Sequence, residues 1–334
     1  MGERLLEVED LKTYFHTFGG VVKAVDGISF HLDKGEILGI VGESGSGKSV
    51  SCFSLLKLVE EPGVVQARKI SFQGRDLTKA TEKEMTKVRG KDIAMVFQDP
   101  MTSLNPLYTV GKQIEEMLIL HENGMNKEQR KERCIELLKA VGIPNPEQRL
   151  KDYPHQFSGG MRQRVVIAIA LAANPKLIIA DEPTTALDVT IQAQILKLMK
   201  QLVRERNASL ILITHDLAVV SEMVDRIVVM YCGKIVEQGP VEEIIHNPGH
   251  PYTEGLLASI PRLRKEQNRL DFIPGMVPNM YDLPKGCLFA PRCKYCQEVC
   301  KNTMPAMEEI GKDHKAACYF TQNLRQSKDC RKEG

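Results

Sequence analysis

The chain has 334 residues, of which 43% are hydrophobic and 26% charged, and its formal net charge is +2. This composition is ordinary for a globular protein of two or more domains, and it predicts no nucleic-acid partner. No apolar run is long enough to cross a bilayer, and MGERLLEVED at the start carries acids where a signal peptide would carry basic residues. We therefore expect a cytoplasmic protein whose cysteines are normally reduced.

Three short apolar runs have the pattern of parallel strands that are buried on both faces. They are EILGIV at 36–41, KLIIAD at 176–181 and SLILIT at 209–214. A helical pattern follows each run, from Lys48, from about Thr190 and from about Asp216. This alternation predicts an α/β domain. The segment RIVVMYCGKIVEQG predicts a hairpin that turns near Gly233.

Residues 109–141 carry helical periodicity without a strand signal. We interpret them as part of a helical insertion that spans about residues 100–172. After Gly239 the chain becomes rich in proline and in loops. The sequence therefore predicts a first domain over 1–245 and a C-terminal extension over 246–334.

The segment GESGSGKS at 42–49 matches the phosphate-loop pattern and lies between an apolar strand and a helix. Glycines let backbone N–H groups surround a phosphate, and the helix N-terminus adds a favourable dipole. Lys48 would reach the β- and γ-phosphates of ATP, and the Ser49 hydroxyl would bind Mg²⁺. The predicted ATP-binding residues of this loop are Gly42, Ser44, Gly45, Ser46, Gly47, Lys48 and Ser49.

An acidic pair ends the second apolar run, in KLIIADEP. Asp181, at the end of the predicted strand, can hold Mg²⁺ directly or through water. Glu182 follows at once, and a carboxylate there can orient or deprotonate an attacking water. An isolated acidic pair is more often a helix cap or a surface pair, but its combination with a phosphate loop favours a catalytic role.

The segment FSGGMRQR at 157–164 resembles the signature of ATP-binding cassette (ABC) ATPases, with Met161 in place of the usual Gln. Gln98 in VFQDP, Asp188 in ALD and His215 in ITHD match further motifs of that family in the same order. The resemblance implies an α/β fold with a P-loop NTPase (RecA-like) core, an antiparallel β subdomain, an inserted α-helical subdomain and a loop-rich, metal-binding C-terminal extension.

The resemblance also implies roles for individual residues. Two ATPase subunits would face each other head to tail, so that the signature of one completes the ATP site of the other. An aromatic side chain near the first strand would stack on adenine, and Phe15 matches the family register better than Tyr14. The implied catalytic residues are Glu182, His215 and Gln98, and the implied Mg²⁺ ligands are Ser49, Gln98 and Asp181. The signature residues that would act in trans are Ser158, Gly159 and Gly160, and Asp188 would belong to the D-loop.

Longer segments, among them FQDPMTSLNP, DEPTTALDV and HPYTEGLLASIPRL, resemble the ATPase subunits of bacterial dipeptide and oligopeptide importers. This implies ATP-driven peptide uptake by a complex at the cytoplasmic side of the cell membrane. The implied partners are two integral membrane permease subunits, a second, similar ATPase in a heterodimer, and an external substrate-binding protein. Importers of nickel or oligosaccharides, and a soluble ABC ATPase acting on a ribosome or DNA, remain alternatives. A regulatory metal-binding module with a vestigial ATPase is a third class, which the intact Glu182 and His215 disfavour.

Four cysteines lie within GCLFAPRCKYCQEVC at 286–300, and Cys318 follows. Disulfides would need an oxidising compartment, whereas four thiolates suit either zinc or an iron–sulfur cluster. The spacing alone leaves those two metals open. The family resemblance implies a [4Fe–4S] cluster, with Zn²⁺ as the alternative, and leaves Cys296 outside the ligand set. The implied ligands are Cys287, Cys293, Cys300 and Cys318. Because the ATP motifs lie elsewhere in the chain, we expect ATP binding to be independent of these cysteines.

Overall fold

A computed structural model describes residues 2–122, 124–185, 187–260 and 272–321. The contacts between Cα atoms divide the chain into two compact units. Unit 1 consists of Met1–Glu3, Asp33–Ile37 and Ala80–Leu212. Unit 2 consists of Arg4–Leu32, Leu38–Lys79 and Ile213–Gly334. The predicted boundary near residue 245 stays a prediction.

The strands in the described part of the chain are β1 (Arg4–Thr17), β2 (Gly20–Asp33), β3 (Ile37–Val41), β4 (Gly63–Gln66), β5 (Lys69–Phe72), β6 (Arg75–Asp76), β7 (Ile93–Val96), β8 (Leu177–Asp181), β9 (Ser209–Thr214), β10 (Arg226–Tyr231), β11 (Lys234–Pro240), β12 (Glu308–Gly311) and β13 (His314–Ala316).

The α-helices are α1 (Lys48–Leu55), α2 (Glu82–Val88), α3 (Pro100–Ser103), α4 (Val110–His121), α5 (Lys127–Ala140), α6 (Pro146–Arg149), α7 (Gly159–Leu171), α8 (Val189–Glu205), α9 (Leu217–Met223), α10 (Val241–His246), α11 (Pro251–Ala258) and α12 (Glu298–Asn302). Within the described residues, two short 3₁₀ helices cover Pro154–Gln156 and Ala290–Arg292.

Unit 1 contains a parallel pair of buried strands and a group of helices. β7 pairs with β8 in parallel, and β9 lies on the other side of β8. Every residue of β8 is buried, as the continuous apolar run predicted. Helices α4, α5 and α7 pack against one another. The first two occupy the segments that were predicted to be helical.

Local capping explains where these two helices begin. The Thr109 hydroxyl accepts a hydrogen bond from the backbone N–H of Lys112 at the start of α4. Asn126 and Gln129 form a reciprocal capping box at the start of α5, with both hydrogen bonds 2.9 Å long. Such caps satisfy N–H groups that the helix itself leaves without a partner.

Unit 2 contains two sheets. β1 pairs in antiparallel fashion with β4 and with β5, and β2 and β6 complete this first sheet. In the second sheet β3 and β10 are parallel, and β10 and β11 form the predicted hairpin around Gly233. The strand before the phosphate loop and the predicted hairpin are therefore confirmed.

The hairpin of β12 and β13 was missed by the sequence analysis. It lies in the extension that was predicted to be loop-rich, and it joins the second sheet because β13 pairs with β11. The four residues of β12 and three of β13 are too short to show a strand period.

A buried carboxylate holds this hairpin to the rest of unit 2. Glu237, on β11, is fully buried, and one of its oxygens lies 2.7 Å from the Nε2 atom of His314 on β13. The same carboxylate accepts the backbone N–H groups of Gly249 at 2.6 Å and His250 at 3.0 Å. Three donors from two distant segments of the chain therefore meet on one side chain.

We predict that Glu237→Gln lowers the free energy of unfolding by about 3 kcal/mol, because removing one partner of a buried charged cluster leaves the others unsatisfied. Denaturant unfolding followed by circular dichroism measures this change. Glu242→Gln is the matched control, because Glu242 is exposed and forms only an i,i+4 ion pair with His246. Equal unfolding midpoints for the two variants would contradict the anchoring role of Glu237.

Candidate functional site

At two positions, the phosphate loop of unit 2 has a backbone conformation that glycine alone can adopt. Gly42 and Gly47 have φ angles of +155° and +97°. A Cβ atom on Gly42 would lie 2.2 Å from the carbonyl oxygen of Met230, and one on Gly47 would lie 2.2 Å from that of Ala24. The loop is therefore packed against neighbouring backbone, which leaves no room for side chains at these positions.

Lys48 begins helix α1 and is almost fully buried. Its Nζ atom donates to the carbonyl oxygens of Gly42 at 2.8 Å and Glu43 at 3.0 Å. The ammonium group is thus held by the same loop whose N–H groups would bind phosphate. Ser49 lies half-buried in the first turn of α1, whereas Ser44 and Gly45 are exposed.

The two aromatic candidates for adenine stacking differ in their contacts. The Tyr14 hydroxyl donates to the Asp26 carboxylate, and burial raises the pKa of Tyr14 to about 12. Phe15 is half-buried and lies opposite Gly63, where a Cβ atom would lie 2.8 Å from the Phe15 ring. Because neighbouring residues of a strand face opposite ways, only one of the two rings can face a given ligand.

In unit 1 the carboxyl ends of two parallel strands bring a glutamine and a glutamate together. Gln98 follows β7 and Glu182 follows β8, and the Gln98 amide donates to a Glu182 carboxylate oxygen at 3.3 Å. The Thr185 hydroxyl donates to the same oxygen at 2.9 Å. Asp181, the last residue of β8, is almost fully buried. Glu182 has a φ angle of +43°, an uncommon conformation of the kind that clusters at functional sites.

The signature segment forms the start of helix α7, also in unit 1. Ser158 caps this helix, since its hydroxyl accepts the backbone N–H of Met161 at 3.4 Å. Ser158 is exposed, and Gly159 and Gly160 are half-buried. A Cβ atom on Gly160 would lie 2.8 Å from the Ile191 side chain, so this glycine permits close packing of α7 on α8.

The remaining predicted residues lie on exposed connections. Asp188 is the exposed N-cap residue of α8, and Ala186 of the same motif lies outside the described residues. His215 is exposed directly after β9, and the Asp216 side chain caps α9. Unit 2 thus carries the phosphate loop and His215, whereas unit 1 carries Gln98, the acidic pair, the signature and Asp188.

The C-terminal part of unit 2 contains a cavity of about 20 Å³ with an almost wholly apolar lining. Four cysteines line it, Cys287, Cys293, Cys300 and Cys318, together with residues that include His250 and Phe289. Cys296 does not line the cavity, and its sulfur instead contacts the backbone oxygen of Gln297 at 3.7 Å. Burial raises the pKa of Cys287 to about 11 and that of Cys293 to about 12, so both are protonated thiols in the absence of a metal.

The predicted metal-binding character of the extension is not shown by this geometry. Within the described ranges, no group of three or more His, Cys, Asp or Glu side chains is arranged to hold a single ion. A structural zinc site needs four ligands that converge on one point, with zinc–sulfur distances of about 2.3 Å. The [4Fe–4S] cluster and the zinc alternative both stay predictions. None of the eight cysteines in the described residues forms a disulfide.

One contact of the phosphate loop was missed entirely by the sequence analysis. Arg292, beside Cys293, forms an ion pair with Glu43 in the phosphate loop, with an N–O distance of 2.6 Å. The Tyr252 hydroxyl accepts the backbone N–H of Glu43 at 2.7 Å. No sequence signal indicates this pairing, because each partner lies more than 200 positions from Glu43.

A phosphate loop opening α1, a buried aspartate followed by a glutamate at the end of β8, and a glycine-rich signature at the start of α7 together define an ABC-type ATPase. A family described as "ABC transporter" matches residues 25–185, and one described as "Oligopeptide/dipeptide transporter, C-terminal region" matches residues 236–300. The chain belongs to the family of ATP-binding subunits of dipeptide and oligopeptide ABC transporters.

Relatives that match over nearly the whole chain are named as ATP-binding proteins of peptide transport. The chain is 57% identical to the "Oligopeptide transport ATP-binding protein OppD" of Bacillus subtilis, over 93% of this chain and 87% of the relative. It is 51% identical to the "Dipeptide transport ATP-binding protein DppD" of Escherichia coli, over 95% of this chain and 96% of the relative. The chain is an ATPase subunit, as the sequence motifs predicted.

A solved structure supports the fold. The ATP-binding cassette MJ0796, in a dimeric post-hydrolysis state with ADP and Pi, has a TM-score of 0.63 and 29% identity to this chain. The match covers 71% of this chain and 99% of that one. The α/β P-loop NTPase fold is thereby confirmed. In the part of the chain that the structure describes, no helix is both long and apolar enough to cross a membrane.

Proposed function

We propose that this chain hydrolyses ATP to power the import of dipeptides or oligopeptides across the cell membrane. The match of residues 236–300 to the C-terminal region of such transporters carries this proposal, because a C-terminal region is what distinguishes this chain from a bare ATPase cassette. The names of the relatives from B. subtilis and E. coli, which match over nearly the whole chain, support it.

Two ATPase subunits would act together at the cytoplasmic side of the membrane, bound to two permease subunits that receive peptide from an external binding protein. The exposed Ser158 and the first turn of α7 support this arrangement, because a helix N-terminus that is open to solvent can bind a phosphate held by a second subunit. The relative MJ0796 is itself dimeric. A second, similar ATPase is our preferred partner.

Glu182 would be the base that accepts a proton from the attacking water. Gln98 and Thr185 both donate to the same Glu182 oxygen, which fixes the orientation of the carboxylate. Asp181, Gln98 and Ser49 would hold Mg²⁺, which neutralises phosphate charge when bound. His215 would complete the set at the γ-phosphate, and Phe15 would stack on adenine.

Reconstitution tests the transport assignment. We expect the chain, assembled in liposomes with its partner ATPase and permease subunits, to show ATP turnover that a peptide-loaded binding protein stimulates. The measurement is phosphate release with dipeptides, longer peptides, nickel complexes and oligosaccharides offered in turn. Stimulation by nickel or sugar without peptide would contradict the peptide assignment, as would full ATP turnover by the chain alone at high dilution.

The catalytic assignment of Glu182 gives a separate prediction. Glu182→Gln should retain ATP binding and reduce turnover by about 10² to 10⁴, because a neutral amide cannot accept the proton. The variant should accumulate as a closed, ATP-bound dimer, which size-exclusion chromatography with ATP detects. Glu205→Gln, at the last residue of α8, is the control and should turn over like the wild type. Near-normal turnover of Glu182→Gln in the assembled transporter would refute the role.

We further propose that the cysteine cavity holds a [4Fe–4S] cluster. The lining of one small apolar cavity by four cysteines supports this proposal, because such a cluster would be held by four cysteine thiolates. When bound, the cluster would supply four metal–thiolate bonds that close the surrounding loops. The binding energy would then contribute to the folding of this region.

The cluster proposal predicts different outcomes for neighbouring cysteines. Anaerobically purified protein should be brown and contain about four iron atoms per chain, as the cluster formula requires. Serine at Cys287, Cys293, Cys300 or Cys318 should bleach the protein and increase its proteolysis. Cys296→Ser is the matched control and should keep its iron, because Cys296 lies outside the cavity lining.

Two results would contradict this assignment. Stoichiometric zinc without iron in the anaerobically purified protein would show that the cysteines bind zinc and not a cluster. Loss of iron from Cys296→Ser, with retention in Cys287→Ser, would shift the ligand set to Cys293, Cys296, Cys300 and Cys318.

A further inference from the structure

We propose that Arg292 and Tyr252 position the phosphate loop for ATP by holding Glu43, so that the C-terminal region is a working part of the nucleotide site. This inference rests on the proposed function only in taking the loop at 42–49 as the ATP site. Glu43 is the second residue of that loop, and three of its groups have separate partners.

The first partner is the guanidinium group of Arg292. Its two terminal nitrogens donate to the two Glu43 carboxylate oxygens, at 2.6 and 3.0 Å. The Arg292 side chain is 4% exposed and that of Glu43 is 29% exposed, so the pair is largely shielded from water. Bidentate pairs of this kind fix orientation as well as charge.

Arg292 is itself fixed by the C-terminal region. Its Nε atom donates to the carbonyl oxygen of Pro274 at 3.1 Å, and a terminal nitrogen donates to that of Ile273 at 3.3 Å. The guanidinium carbon lies 5.9 Å from the ring centres of Tyr231 and Phe289. These contacts fix the Arg292 side chain independently of Glu43, and this preorganisation lowers the entropy cost of forming the ion pair.

The second and third partners hold the backbone of Glu43. The Tyr252 hydroxyl accepts the Glu43 N–H, and the Tyr252 ring is fully buried, 4.7 Å from Tyr231 and 5.4 Å from Phe289 between ring centres. The Glu43 carbonyl accepts from the Nζ atom of Lys48. Glu43, which pairs with Arg292, is thus hydrogen-bonded directly to Lys48, the residue that would contact the β- and γ-phosphates.

Charge makes this arrangement important for ATP. A carboxylate in the phosphate loop would repel the negatively charged triphosphate, most strongly where water is excluded. The Arg292 guanidinium group neutralises that charge by pairing with the Glu43 carboxylate. Loss of Arg292 would leave a partly buried, uncompensated carboxylate beside the phosphates.

The test measures MgATP binding to the full-length chain by calorimetry. We expect Arg292→Met to raise the dissociation constant about tenfold, which corresponds to the loss of one strong charged contact. Tyr252→Phe, which keeps the ring and removes only the hydroxyl, should raise it about threefold. Lys294→Met is the matched control, because Lys294 lies on the other side of Cys293, is 63% exposed, and contacts Glu254 and the Tyr295 ring and not the phosphate loop.

A double substitution separates charge from structure. Arg292→Met combined with Glu43→Gln should restore binding to within about threefold of the wild type, because no unpaired charge then faces the phosphates. In the assembled transporter, Arg292→Met should raise KM for ATP and leave kcat within about twofold, since Glu182 and Gln98 are untouched. A general loss of structure would lower both kcat and the affinity, and the second substitution would not rescue it.

Three results would overturn the inference. They are wild-type affinity in Arg292→Met, a double variant that binds no better than Arg292→Met, and an equal loss in Lys294→Met. If Arg292→Met does not fold, unchanged affinity in the conservative Tyr252→Phe has the same force. Failure of the wild-type chain to bind MgATP would instead refute the assignment of the ATP site itself.

Discussion

The C-terminal part of unit 2 depends on one buried carboxylate. Glu237 is fully buried on β11, and a charge in such a place persists only when hydrogen-bond donors surround it. Its donors come from His314 on β13 and from the backbone of Gly249 and His250. His250 in turn caps α11, because its Nδ1 atom accepts the N–H of Tyr252. The carboxylate therefore fixes where α11 starts and, through it, where the Tyr252 ring lies.

The parts of the fold and site that the sequence predicted are those with a local or periodic signal. The continuous apolar run of β8 is fully buried, and the glycines of the phosphate loop adopt conformations that only glycine tolerates without strain. The common role of Gln98 and Glu182 was implied only by the family resemblance, and in the structure the two side chains lie 3.3 Å apart.

The parts that the sequence did not predict are those that depend on tertiary contacts alone. The three residues of β13 show no strand pattern, and they become a strand only because β11 offers an edge to pair with. Arg292 and Glu43 are separated by 249 positions, and neither residue type indicates the other. The expectation that ATP binding is independent of the cysteines stays a prediction, since the ion pair to the phosphate loop comes from Arg292 and not from a cysteine.

Phe289 shows why the cysteine cavity and the phosphate loop are physically connected. The residue lines the cavity, and its ring also packs edge-on against Tyr231 at 5.4 Å and against Tyr252 at the same distance. Packed aromatic groups transmit displacement because protein interiors leave little free volume. A change in what the cavity contains must therefore be accommodated by the aromatic rings of Phe289 and Tyr231, which support Arg292 and Tyr252. Tyr252 contacts both Phe289 and the backbone N–H of Glu43, so these aromatic side chains connect the cavity lining to the phosphate loop.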